Sequence, residues 1–307
     1  MLGHLRMLTE PESSESPFRE RFPRPSFMTL TIVFALLVTP SVGLLAAELR
    51  DPAAERARLT EEAESALRAD LIDRGLTPVE SEGSDVARLA QLGIEVLTTA
   101  HAFRLESGPA VLTGDPVSTE QRDRALVTLG RELARYPAQF LARARLRRLV
   151  LCANFREDNQ VIPSLPNYHG ALLVDVDADA PYLRRLVHHE VFHFADYADD
   201  DQLSHDPAWL GLNERSFVYG DGGRFLRQPG VGRFTADLPG FVSRYATSAL
   251  EEDKAETFAM RMSEPQKFAE LIAIDPILRA KSAALDAQLR KLTRDVDVRV
   301  LDALDVH

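Results

Sequence analysis

His189-Glu190-Val191-Phe192-His193 places two imidazoles four residues apart with a carboxylate beside the first. On a helix, positions i and i+4 lie one turn apart on the same face. Two imidazoles so placed can bind one Zn²⁺, and Glu190 can reach a water held on that ion. The corresponding chemistry is hydrolysis of an amide bond. The cation makes water a stronger nucleophile and polarises the carbonyl. Glu190 takes the water's proton and hands it to the leaving amine.

Such chemistry needs a helix to carry the motif. Asp177-Ala178-Asp179-Ala180-Pro181 supplies short polar residues followed by a proline, a good helix start. Tyr182, Leu183, Leu186 and Val187 continue with an apolar face at helical spacing, and Phe192 and Phe194 extend it. A helix through His193 is expected, with His189 and His193 turned inward. A lone histidine on such a face reads as a core residue held by ordinary hydrogen bonds. Two in register with a glutamate read as a metal site, because buried imidazoles need partners. His188 points about 100° away from His189 and is not expected as a ligand. His169 and His205 fall on loops. Upstream, Ala171 to Val176 reads as a short strand leading into the helix. It could form a sheet edge that takes an extended peptide as a further strand, or be an ordinary buried strand.

A catalytic zinc usually takes three protein ligands and keeps a position for water. Downstream, Ser248 and Glu251 have the spacing of a capping box, so a helix is expected to start there. Glu252 and Glu256 then share one face, beside the small Ala255 and Ala259. Glu252 is assigned as the third ligand, and Glu256 as the carboxylate that orients a ligand histidine through its free ring N–H. On charge pattern alone the same residues also read as a solvated acidic face. Asp199 competes, six residues after His193, but that spacing calls for a glycine where Asp196 stands. Asp196 is expected as an outer partner of the site or as part of a polar helix end.

The pairing of His189-Glu190-x-x-His193 with Tyr245 and Glu252-x-x-Ala255-Glu256 resembles the gluzincin class of metallopeptidases. It is similar in detail to the catalytic domain of anthrax lethal factor and to a bacterial family of zinc-binding metallopeptidases. The resemblance implies that Glu252, seven positions after Tyr245, is the third ligand, and that Tyr245 donates to the developing oxyanion. Trp209-Leu210-Gly211-Leu212-Asn213 and Phe217-Val218-Tyr219-Gly220 also look like the bacterial family, over roughly residues 118 to 295. One departure is Lys254, where relatives often carry Phe. It is expected to point off the Glu252/Glu256 face.

Net charge is −11 over 307 residues, which argues against a nucleic-acid binder and fits an acidic enzyme. The single cysteine, Cys152, sits in an apolar run and allows neither an intramolecular disulfide nor a thiolate zinc site. Residues 27–47 form a membrane-scale apolar stretch preceded by Arg19, Arg21 and Arg24. That polarity exports the downstream chain, either behind a cleaved signal peptide or on an uncleaved inner-membrane anchor, giving a periplasmic, secreted or anchored protein. Residues 48–117 read as a helical N-terminal region, with helices over Ala54–Leu71 and Val86–Leu97. Residues 118–307 read as the catalytic domain. Leu126, Leu129 and Leu133 mark a helix face, and residues 149–152 a strand. Residues 155–170 read as a loop bordering the cleft, residues 201–240 as irregular chain, and Leu278, Leu285, Leu289 and Leu292 as a packed C-terminal helix. The expected fold is α+β and mostly helical, a zincin-like metallopeptidase domain with a small sheet beside the motif helix. The expected function is an exported zinc-dependent metallopeptidase acting on a peptide or protein substrate. The alternative is a non-catalytic zinc-binding cell-envelope protein whose site is closed by Asp196 or Asp199.

Overall fold

The computed structural model describes residues 52–80, 84–107, 110–223 and 231–293. The expected leader, residues 1–47, lies outside them. Among the described residues no helix is long and apolar enough to cross a membrane. The fold is α+β, with a mixed eight-stranded sheet.

The sheet turns about one long strand, β5 (Arg148–Glu157). Its first half runs parallel to β2 (Glu95–Thr99) on one side and β8 (Ala171–Asp175) on the other. Outside these lie the antiparallel β1 (Leu76–Pro78), beside β2, and β7 (Ser164–Asn167), beside β8. Its second half pairs instead with β4 (Ala110–Asp115), which continues to β3 (Phe103–Ser107), and with the short β6 (Gln160–Val161). The change of partners occurs at Asn154, which adopts φ +50°. Asn accepts that left-handed conformation more readily than most residues. Its amide N–H donates to Asp177 and its side-chain amide to Asp115. The kink also shifts the alternation of side chains. Leu149, Leu151 and Ala153 face one core, whereas Val150, Cys152 and then Phe155 face the other.

The first core lies between the sheet and a helical layer. That layer includes α2 (Ser84–Gln91), α3 (Thr119–Leu133), α4 (Ala138–Arg143), α5 (Ala180–Asp200), α7 (Leu250–Ser263) and α9 (Pro276–Leu292), with the one-turn α6 (Pro207–Leu210) supplying the buried Trp209. Leu67 and Leu71 of α1 (Pro52–Asp73) cover the opposite sheet face. A third apolar cluster joins α7, α8 (Pro265–Ile274) and α9.

Several expectations change here. Residues 48–117 are not wholly helical. The helix expected over Val86–Leu97 stops at Gln91, and Gly93 turns the chain at φ +78° into β2, whose Val96 and Leu97 are core residues. The segment supplies four of the eight strands. The expected loop 155–170 is largely the end of β5 with β6 and β7. Strand 171–175 is present but not at an edge, since it pairs on both sides and is fully buried; the edge beside the motif helix is β7.

Candidate metal centre

Helix α5 begins as the sequence suggests. Asp179 caps it by accepting from the Tyr182 amide, and Pro181 sits in the first turn. Leu183, Leu186, Val187, Val191, Phe192 and Phe194 anchor it in the core. The helix runs beyond His193 to Asp200, and Asp201 ends it in a left-handed conformation. No break occurs at Asp196, so Asp199 stays helical and pairs with Lys291 at 2.7 Å. Asp199 does not join His189, His193 and Glu252.

Helix α7 brings the third group. It starts at Leu250, close to the expected place, but without the capping box. Ala249 is the cap residue and makes no side-chain bond. Ser248 Oγ donates backward to the Tyr245 carbonyl instead, closing the 3₁₀ turn Tyr245–Thr247. Helices α5 and α7 pack directly together, with the small Ala255 and Ala259 fully buried. Close approach of the two helices sets His189, His193 and Glu252 with one ligand atom each within 4.8 Å of one another. His189 Nε2 lies 3.0 Å from His193 Nε2 and 3.1 Å from Glu252 Oε2, and His193 Nε2 lies 3.5 Å from the same oxygen.

The donor set fits a cation. His189 Nδ1 faces Glu256 Oε1 at 2.9 Å, so its N–H is directed there and its Nε2 lone pair points into the centre. Glu252 Oε2 is buried, close to both imidazoles, and has no hydrogen bond of acceptable geometry. Two ring nitrogens and a carboxylate converging without enough protons to share are what a divalent metal satisfies.

Charge points the same way. Burial opposes a charged His189, but its hydrogen bond to Glu256 and the negative charges of Glu252 and Glu256 outweigh it and push the imidazole up to about 10. Burial likewise opposes charge on Glu252, yet the two histidines hold it well below the usual carboxylate range. Glu256 is held at about 2, against its burial, by the Arg185 charge and by His189. The pocket therefore favours positive charge among the three ligand atoms.

Glu190 lies beside them. Ser164 Oγ, on the edge strand β7, donates to Glu190 Oε1 at 2.6 Å, while Glu190 Oε2 is buried without a partner. Tyr245 OH donates to Glu252 Oε1 at 3.2 Å. Burial, then the charges of Glu252, Glu256 and Glu190, raise its pKa far above the ordinary phenol value, so it stays a donor. A Cβ at Gly223 would come within 2.2 Å of that hydroxyl, so the backbone of Gly223 closely borders the centre.

Glu256 accepts from His189 Nδ1. Asp196 makes no hydrogen bond to His193. Lys254 Nζ takes it at 2.6 Å and Gln288 Nε2 at 2.5 Å, and His193 Nδ1 has no partner. Lys254 does point off the Glu252/Glu256 face, into ion pairs with Asp196 and Asp206. His188 is buried elsewhere, and His169 and His205 are exposed.

Four participants were not read from the sequence. Arg185 and Ser243 hold Glu256, and Ser164 holds Glu190. Asp253, next to Glu252, anchors α7 by accepting from Trp209 Nε1 at 2.9 Å, Tyr219 OH at 2.5 Å and Lys281 Nζ at 2.6 Å. Arg185 carried a signal: it stands four residues before His189, on the same face. Trp209 and Tyr219 thus meet at Asp253. No family model matches the chain, and no curated protein or solved structure matches it significantly.

Proposed function

We propose that the protein is an exported zinc-dependent metallopeptidase with a zincin-like arrangement, hydrolysing peptide bonds in a peptide or protein substrate. The observation that carries this reading is the convergence of His189 Nε2, His193 Nε2 and the Glu252 carboxylate, with the partnerless Glu190 Oε2 and the Tyr245 hydroxyl beside it.

His189, His193 and Glu252 would hold the zinc, and Glu256 would fix the His189 ring. When bound, zinc supplies a Lewis acid that activates water and polarises a carbonyl. Glu190 is the base. Ser164 occupies one of its oxygens and leaves the other free to take a proton from water and deliver it to the leaving amine. Tyr245 donates to the oxygen of the attacked carbonyl as negative charge develops there. The edge strand β7 carries Ser164, so an extended peptide added to that edge would run past Glu190.

The reading is tested by the metal content of the purified protein, wild type beside Glu252→Ala, followed by peptide hydrolysis with Glu190→Gln. One zinc per chain, lost in Glu252→Ala, and turnover abolished in a zinc-loaded Glu190→Gln are expected. A wild type that takes up no zinc, or full activity in Glu190→Gln, would overturn it. The alternative, a structural zinc site closed by Asp196 or Asp199, finds those carboxylates engaged by Lys254 and Lys291.

A further inference from the structure

Arg185 lies one turn before His189 on α5, and its side chain is largely buried. Its guanidinium pairs with Glu256 Oε2, and the same carboxylate's Oε1 accepts from His189 Nδ1. Above the guanidinium sits the Phe234 ring, whose centroid is 4.5 Å from the central carbon. Gly232 closes over it as well. A Cβ there would stand 3.1 Å from a guanidinium nitrogen, so this backbone lies close against the arginine.

The segment over Arg185 is the one that holds Tyr245. The Tyr245 amide donates to Val231 O at 3.1 Å, the Thr235 amide donates to Val242 O at 2.7 Å, and Phe234 bridges to Ser243. Ser243 Oγ then donates to Glu256 Oε2 at 2.6 Å, beside the arginine. One side chain thus touches two supports: the carboxylate that aims a ligand imidazole, and the chain segment that seats the tyrosine.

We propose that Arg185 is a positioning residue of the metal centre, setting the His189 ring through Glu256 and seating the Tyr245 turn through Phe234 and Gly232. This rests on the zinc reading above and names a part of that site. The physical basis is twofold. Outer partners of metal-bound histidines fix ring orientation, and their loss typically weakens metal binding about 10–100-fold. A guanidinium can hold a carboxylate and stack on a ring at once, which an ammonium does poorly.

The test is zinc affinity of the full chain, measured by competition with a chromogenic chelator, for wild type, Arg185→Met, Arg185→Lys and Phe234→Leu. Arg185→Met is expected to weaken zinc about 10–100-fold, with Arg185→Lys recovering part of the loss. Phe234→Leu removes only the ring over the guanidinium, leaves every charge in place, and is expected to cost about threefold. A folded Arg185→Met with wild-type affinity overturns the role of Arg185 and leaves the metal reading intact. Should Arg185→Met fail to fold, Phe234→Leu decides: loss of affinity supports the role and wild-type affinity overturns it. A wild type that binds no zinc sinks the metal reading and this role with it.

Discussion

His188 and His189 are adjacent, both buried, and on one helix, yet they belong to opposite kinds of site. Both ring nitrogens of His188 have protein partners. Tyr136 OH donates to Nδ1 at 2.6 Å, and Nε2–H donates to Glu132 at 3.2 Å, with Arg135 bound to the same carboxylate at 3.0 Å. Burial lowers that imidazole to about 4 and keeps it neutral. Around His189 one nitrogen is satisfied and the other faces acceptors, and its carboxylate neighbours push it toward carrying charge. Burial of a histidine therefore says little about function. A surplus of converging acceptors sets the surroundings of His189 apart from the closed network around His188.

The contrast can be broken by exchanging the consequences of damage. Glu252→Ala should weaken zinc about a thousandfold, more than the loss expected for an outer partner. Equal zinc affinity in that variant would erase the distinction.

Glu132→Gln should do the reverse, keeping zinc and costing about 3 kcal/mol of stability near neutral pH, since it removes one partner from a buried charged network. The pH dependence has a definite sign. Although burial opposes it, hydrogen bonds from His188 and Arg135 hold Glu132 at about 2, below its usual 4.5. Its contribution is present above about pH 4.5 and is lost as pH falls toward 2. Denaturant midpoints of wild type and variant should converge across that window. A gap constant from pH 5 to 2 would show that Glu132 acts by shape alone.

Zinc at a hundredfold excess over its Kd should add about 2.7 kcal/mol of stability to wild type and to Glu132→Gln alike, and almost nothing to Glu252→Ala. Thermal melts with and without chelator measure this. The smallest effect is expected at Ser164→Ala, which frees Glu190 Oε1: a severalfold drop in kcat, about 1 kcal/mol, with zinc affinity and KM unchanged. A change confined to KM would make Ser164 a substrate contact instead.

The legible parts of the chain were those with long periodic patterns or strict offsets. Leu126, Leu129 and Leu133 are buried on α3, and Leu278, Leu285 and Leu289 on α9. The motif helix begins where Asp179 and Pro181 place its start. The strands in residues 76–115 were not legible. They are three to six residues long, and only pairing with β5 or with one another makes them strands. Ser248 illustrates a second limit, because a hydroxyl able to cap forward turned back to the Tyr245 carbonyl. Outer partners such as Ser164 and Ser243 come from distant segments, and spacing around the motif carries no trace of them.

The lysine inventory has a practical consequence. The chain has four, Lys254, Lys267, Lys281 and Lys291, and Lys254 and Lys281 are buried in ion pairs that brace α7. Lys267 and Lys291 stand about half exposed. An amine-reactive reagent applied to the native protein should mark the second pair quickly and leave the first untouched. Modification at Lys254 or Lys281, mapped by mass spectrometry, would then time the opening of the helix that carries Glu252, residue by residue, with no engineered label.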